Sequence, residues 1–198
     1  MHTTSLFLIA QLALTAAPPA APAPAPAKTG PMSAPGTAVA HRTITVTMPS
    51  GATVNISAMA KELGGAAPNR HAYMIGETHL RIDEDKVSGG CETLIQKAYD
   101  SAVKAQNDKT QAELAKVTKV EYRDIKGVKG VYSELESRSA ADAKAGLPYH
   151  PMALLVVCQN SNALTASVSQ EKAPLDALGQ SVMKGILDSI VLGPATST

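Results

Sequence analysis

Cys91 and Cys158 are the residues whose types and placing speak most directly of chemistry. An even cysteine count in an exported chain favours a disulfide. Such a bridge would close a loop of 67 residues (158 minus 91), worth about 4 kcal/mol if it acts by restricting the unfolded chain. Two alternatives stand beside it. Cys91 follows Gly89-Gly90 at the start of an expected helix, where the helix dipole lowers a thiol pKa and would make it reactive. The third reading is a pair of buried free thiols. Two cysteines are too few for a four-cysteine zinc site.

Other chemistry-bearing residues do not assemble into a motif. His41, His71, His79 and His150 are dispersed, and a metal site needs three or four converging ligands. Asp83-Glu84-Asp85 could offer oxygens to a hard cation, but the spacing of a calcium loop is missing, so a solvated polar turn is expected there. There is no G-x-S-x-G elbow, Walker loop or dinucleotide fingerprint. Catalytic, metal and cofactor sites are accordingly not expected.

The segment Ser139 to His150 is more suggestive. It interrupts two good strands and exceeds the usual hairpin loop. Leu147, Tyr149 and His150, held between Pro148 and Pro151, would form an exposed tip for binding a protein partner. Tyrosine offers contact area at low entropic cost. Against this stands a flexible loop, or a small helix over Ala140–Ala145 with Tyr149 folded back on the sheet.

Behind these residues the pattern specifies elements. Thr43–Thr47 and Thr53–Ile56 alternate about Pro49-Ser50-Gly51 and read as a hairpin. Ser57 would cap a short helix, Ala58 to Leu63, ended by Gly64-Gly65. His71–Ile75 and Thr78–Ile82 are strands about Gly76-Glu77. From Ser88 or Gly90 to about Leu114 runs the longest helix, with Cys91, Leu94, Ile95, Ala98, Ala102 and Val103 on one face. Lys119–Ile125 and Val128–Arg138 flank a Lys126-Gly127 turn. Met152–Cys158 is a continuous apolar run, as for a strand buried on both faces. A turn over Gln159–Asn162 leads to the alternating strand Leu164–Ser169. Pro174 opens a last helix, with Leu175, Leu178, Val182 and Ile186 as its buried stripe. Hairpins dominate, which points to an antiparallel sheet covered by helices rather than a Rossmann-like sheet.

This succession is the ground of a resemblance. A long helix leads to the strand ending Ile125-Lys126-Gly127-Val128-Lys129-Gly130-Val131-Tyr132-Ser133-Glu134-Leu135-Glu136; the buried strand, its hairpin partner and a helix ending Gly185-Ile186-Leu187-Asp188-Ser189-Ile190-Val191-Leu192 follow. Over about residues 85–193 the chain resembles the PsbP-like fold, which includes the photosystem protein PsbP, the Ran-binding protein Mog and bacterial envelope proteins of the DcrB type. The resemblance implies an α+β protein, an α/β/α sandwich with a central antiparallel sheet. It implies no activity, since fold does not fix function.

The remaining chain is a different polymer. Leu6-Phe7-Leu8-Ile9-Ala10-Gln11-Leu12-Ala13-Leu14 followed by small residues has the form of a secretory signal peptide, and is too short for a membrane span. The expected division is 1–17 signal peptide, 18–40 Ala/Pro-rich linker, 41–193 one α+β domain, and 194–198 tail. Linker repeats such as Ala21-Pro22-Ala23-Pro24 favour extended polyproline II. Eighteen basic and 17 acidic residues leave a net charge of +1, giving no footprint for nucleic acid. Together these features predict a periplasmic or secreted, non-enzymatic domain that binds a protein: an immunity or inhibitor protein against a secreted toxin, or an accessory of an envelope complex. A small-molecule or lipid carrier and a hydrolase with a scattered site are the alternatives.

Overall fold

The computed structural model describes residues 43–64, 67–108, 113–170 and 175–193. The expected signal peptide, linker and tail, together with His41, Gly65 and Pro174, lie outside them. Twelve elements follow in order: β1 (Thr43–Thr47), β2 (Thr53–Ser57), β3 (Lys61–Glu62), β4 (Arg70–Ile75), β5 (Thr78–Lys86), α1 (Cys91–Asn107), β6 (Ala115–Ile125), β7 (Val128–Ser137), α2 (Ala140–Lys144), β8 (His150–Gln159), β9 (Asn162–Gln170) and α3 (Ala177–Ser189). β1 and β2 form a two-stranded sheet; the others form a seven-stranded antiparallel sheet in the order β3-β4-β5-β9-β8-β7-β6. No helix among the described residues is long and apolar enough to cross a membrane.

Turn chemistry sets the register of this sheet. Lys126 and Gly127 have φ of 53° and 87°, and Asn160 and Ser161 have φ of 51° and 59°. Two successive positive φ values suit tight hairpins, whose twist matches that of the flanking strands. The β6–β7 and β8–β9 hairpins therefore close on Ile125↔Val128 and Gln159↔Asn162.

Strand alternation then divides the core. Leu80, Ile82, Ala153, Leu155, Val157, Leu164, Ala166 and Val168 are buried on one face, against Val46, Val54 and Ile56 of the β1–β2 hairpin and Met183, Ile186 and Ile190 in and after α3. On the other face Val131, Cys158 and Ala163 meet Ile95 of α1, with Val120, Tyr122 and Val156 partly buried around them. A helix on each face of an antiparallel sheet gives an α+β sandwich.

Several elements depart from the sequence reading. The short helix expected at Ala58–Leu63 is instead one turn followed by β3, which pairs Lys61 and Glu62 with Met74 and Tyr73. Six residues before a glycine pair cannot repay helix nucleation, whereas a sheet edge supplies partners at once. Asp83-Glu84-Asp85-Lys86 is no solvated turn but the end of β5. Asp83 is buried against Arg81 Nε at 2.6 Å, and the Glu84 carboxylate accepts from the Ser50 backbone N–H at 3.1 Å. The carboxylates are thereby partnered internally. α1 ends at Asn107 rather than near Leu114, with the Asn107 side chain donating to the Val103 carbonyl at 2.9 Å; asparagine favours such local bonds over a further helical turn.

β8 is fully buried on its odd-numbered face, while Met152, Leu154 and Val156 are only half-buried, so it is not the doubly buried strand expected. In α3 the inward positions are Gly179, Met183 and Ile186, and Leu178 is 43% exposed. Of the expected stripe Ile186 is buried and Leu175 and Val182 are partly buried against the core, while the apolar count missed Gly179, which has no side chain to count, and Met183. A Cβ at Gly179 would come within 2.9 Å of the Gln170 side chain, so close packing there requires the bare backbone.

Candidate functional site

The two cysteines are bonded. Cys91 opens α1 and Cys158 lies near the end of β8, with Cα atoms 5.1 Å apart, so the bridge ties the helix to the sheet.

The loop between β7 and β8 is built, not slack. Ser139 Oγ accepts from the Asp142 N–H at 3.0 Å, and an Asp142 carboxylate oxygen accepts from the Ser139 N–H at 3.2 Å, a reciprocal cap that starts α2. The hydrogen bonds from Ser139 hold the Asp142 carboxyl below its ordinary range. Arg138 then gathers the loop. It donates from Nη1 to the Leu147 carbonyl at 2.9 Å and from Nε to the Glu113 carbonyl at 2.8 Å, and its guanidinium lies 4.3 Å from the centre of the Tyr149 ring. Leu147 is 48% exposed at the tip. Tyr149 and His150 are half-buried, and His150 opens β8 opposite Ser137. The structure thus contains a short helix and a Tyr149 drawn back beneath an arginine, with Leu147 the projecting member of the three.

Beside this loop lies an open groove of about 850 Å³ between α3 and the β6–β7–β8 face. Leu175, Met183 and Leu187 form one wall, with Gln180 and Lys184 above them. The floor is charged. Along β6 the alternation Lys119-Val120-Glu121-Tyr122-Arg123 puts Lys119, Glu121 and Arg123 on the groove face of the sheet, where Arg123 lines the groove, and Val120 and Tyr122 toward α1. Glu121 binds both cations, Lys119 at 3.1 Å and Arg123 through its Nε; the Arg123 hydrogen bond is the main cause that holds its carboxyl below the usual range. Arg123 also stacks 4.0 Å over the Tyr132 ring, and the Tyr132 hydroxyl donates to Glu134 at 3.0 Å. Pro151, which follows His150 in β8, lines the groove, whereas Leu147, Tyr149 and His150 do not.

Tyr132 is buried, and burial first, then the bond to Glu134, pushes its pKa up to about 12. The folded chain therefore holds this proton more tightly than the unfolded chain, whose tyrosines ionise near pH 10. The resulting stability is complete below about pH 10 and is lost as pH rises through about 12. A titration followed at 295 nm should show a last-ionising tyrosine that is absent from Tyr132→Phe; loss of a lower-pH step instead would contradict the assignment.

Sequence reasoning overlooked the Lys119–Glu121–Arg123–Tyr132 array. Its signal was available in the strict alternation of charged with apolar residues over 119–123, but which face met α3 depended on the tertiary structure.

The chain matches no protein-family model and no curated protein. Its structure does have counterparts. The yeast (Saccharomyces cerevisiae) Ran-binding protein Mog1p aligns over 77% of this chain and 96% of its own, at 7% identity and a TM-score of 0.52. The cyanobacterial PsbP (CyanoP) of Synechocystis aligns over 82% and 99%, at 12% identity and a TM-score of 0.51. The chain has the PsbP-like fold. A crystal structure from Bacteroides thetaiotaomicron shares it over 77% of this chain at 11% identity and a TM-score of 0.51, but this chain spans only 49% of that one. At these identities the PsbP-like fold is all that is shared. The groove and tip must be read from this chain's own residues.

Proposed function

We propose that this is an exported, non-enzymatic domain that binds another protein through the Leu147–His150 tip and the adjoining groove. The observation that carries this reading is a loop held by Arg138 with Leu147 projecting, followed in the chain by Pro151, which lines a groove whose apolar wall faces an ionic floor. Exposed apolar side chains set among polar groups are the usual material of a protein interface. A disulfide is compatible with an oxidising compartment, which supports export. Mog1p, a Ran-binding protein of the same fold, is a precedent for this scaffold carrying a protein-binding surface. The finer reading is an immunity or inhibitor protein against a secreted toxin, or an accessory of an envelope complex.

Affinity capture from periplasmic extract tests this. A protein retained reproducibly by the native domain should bind at least tenfold more weakly to L147A/Y149A, as for a residue pair at an interface centre. Retention of no protein, or equal retention by the variant, would overturn the assignment of the tip.

The small-molecule or lipid carrier remains as a second reading because the groove's volume lies in the range of ligand sites. Its open, charged floor suits a polar ligand better than a lipid chain. Binding of a fluorescent fatty acid that competes with nothing in the extract would favour it over the protein partner.

A further inference from the structure

The two edges of the seven-stranded sheet are unlike. β3, at one edge, has 2 residues, whereas β6, at the other, has 11. Among the described residues no strand pairs with the outer side of β6. An antiparallel neighbour satisfies the peptide groups of alternate residues only, so β6, about 35 Å long at roughly 3.3 Å per residue, offers outward N–H and C=O groups, apart from the Thr118 carbonyl, which already accepts from the Gln106 side chain at 3.5 Å.

The side chains of this edge are arranged by a bulge. Residues three apart in a regular strand lie on opposite faces. Here the register shifts between Val117 and Lys119, so that Lys116 opposes Glu136 and Lys119 opposes Glu134 with Thr118 as the extra residue. The bulge thereby returns Lys119 to the face of Lys116, and Arg123 follows on that same face. The groove side of the sheet thus carries acids on β7, Glu134 and Glu136, and a column of cations on the outermost strand. Glu121 is the acid within that column and bridges Lys119 and Arg123. The reverse face of β6 is apolar, with Val120 and Tyr122 packed toward α1.

Building on the protein-binding reading, we infer that β6 accepts an extended acidic segment of the partner as an eighth strand. Its alternate carboxylates lie along the column of Lys116, Lys119, Glu121 and Arg123, which carries three cations to one acid, and its intervening apolar residues continue the row of Val120 and Tyr122. Cross-strand pairs of opposite charge favour this occupant, and main-chain bonds supply affinity as in other strand additions.

The probe is a capped ten-residue peptide alternating glutamate and valine, with a lysine–valine counterpart as control. The acidic peptide should slow amide hydrogen exchange at alternate residues of 115–125, and its affinity should fall at least tenfold in K119E/R123E and by a smaller factor in K119Q/R123Q. The glutamine variant keeps the test alive if charge reversal harms folding. Failure of the acidic peptide to slow any β6 amide, or equal binding of the two peptides, would overturn the inference. Partner capture that L147A/Y149A abolishes but K119Q/R123Q leaves intact would refute the edge while preserving the protein-binding reading. Absence of any captured protein would refute that reading instead.

Discussion

Removing the disulfide, as C91A/C158A or by reduction, is expected to lower the unfolding free energy by about 4 kcal/mol. The expectation rests on the 67-residue separation of the two cysteines, whose linkage restricts the unfolded chain. The packing beneath the bridge gives it added importance. Of the 17 residues of α1 only Ile95 is fully buried, and the cluster it joins contains just Val131, Cys158 and Ala163 as other buried members. The opposite face of the sheet has a far larger aliphatic core. α1 therefore has less packing to hold it than α3 has, once the bridge is open. Urea unfolding with and without reductant measures this. The midpoint should fall by about 2 M at a slope of about 2 kcal/mol/M. A shift below about 0.5 M would mean that packing alone fixes the helix.

Gln170→Leu should be the next most damaging change, costing about 2–4 kcal/mol through lost bonds and unsatisfied buried groups. Gln170 ends β9 and is 5% exposed. Its amide nitrogen donates to Thr78 Oγ1 at 2.6 Å and to Asp176 Oδ1 at 2.6 Å, and its amide oxygen accepts from the Asp176 N–H at 2.8 Å. The same Asp176 oxygen accepts from the Gly179 N–H at 2.8 Å and caps α3. Leucine keeps the volume but removes all three bonds, leaving the Thr78 hydroxyl unpaired in a fully buried site. It also loosens the start of the helix that forms the groove wall. Thermal unfolding should show Tm lower by about 10 °C. Asp176→Ala, which loses chiefly the cap, should cost about 1 kcal/mol. Equal effects of the two substitutions would show that the cap, not the buried amide, fixes the helix.

The parts of this fold that could be read in advance depend on neighbours in sequence. Lys126-Gly127 and Asn160-Ser161 announce their hairpins because a tight turn is a local event. The alternation of Leu164–Ser169 and the apolar face of α1 were legible for the same reason. Misreadings fell where the deciding partner is distant. Glu84 resembled solvated loop because its partner, the Ser50 amide, lies 34 residues earlier. Part of the α3 face was missed because a contact with Gln170 selects glycine at 179, and periodicity counts only apolar side chains. At the candidate site, Leu147, Tyr149 and His150 could be named from sequence as a proposed tip because they are neighbours in the chain, while Arg123 and Tyr132 acquired meaning only when two strands and α3 came together about the groove. Even the bulge left a trace: in Lys116-Val117-Thr118-Lys119 the two-residue rhythm breaks at Thr118.

The bond between Cys91 and Cys158 also makes part of this molecule a covalent ring. The ring includes α1, the β6 edge, β7, the tip and nearly all of β8. A protease that cuts at the exposed Ala145-Gly146 step would open this ring without dividing the molecule. Both strands that carry the groove floor would remain upstream of the cut, Leu147 and Tyr149 downstream, and sulfur would still join the two portions. Nicked and intact chains would share one mass class until a reductant separates them, so the tip and the groove floor can stay joined through a break in their own backbone.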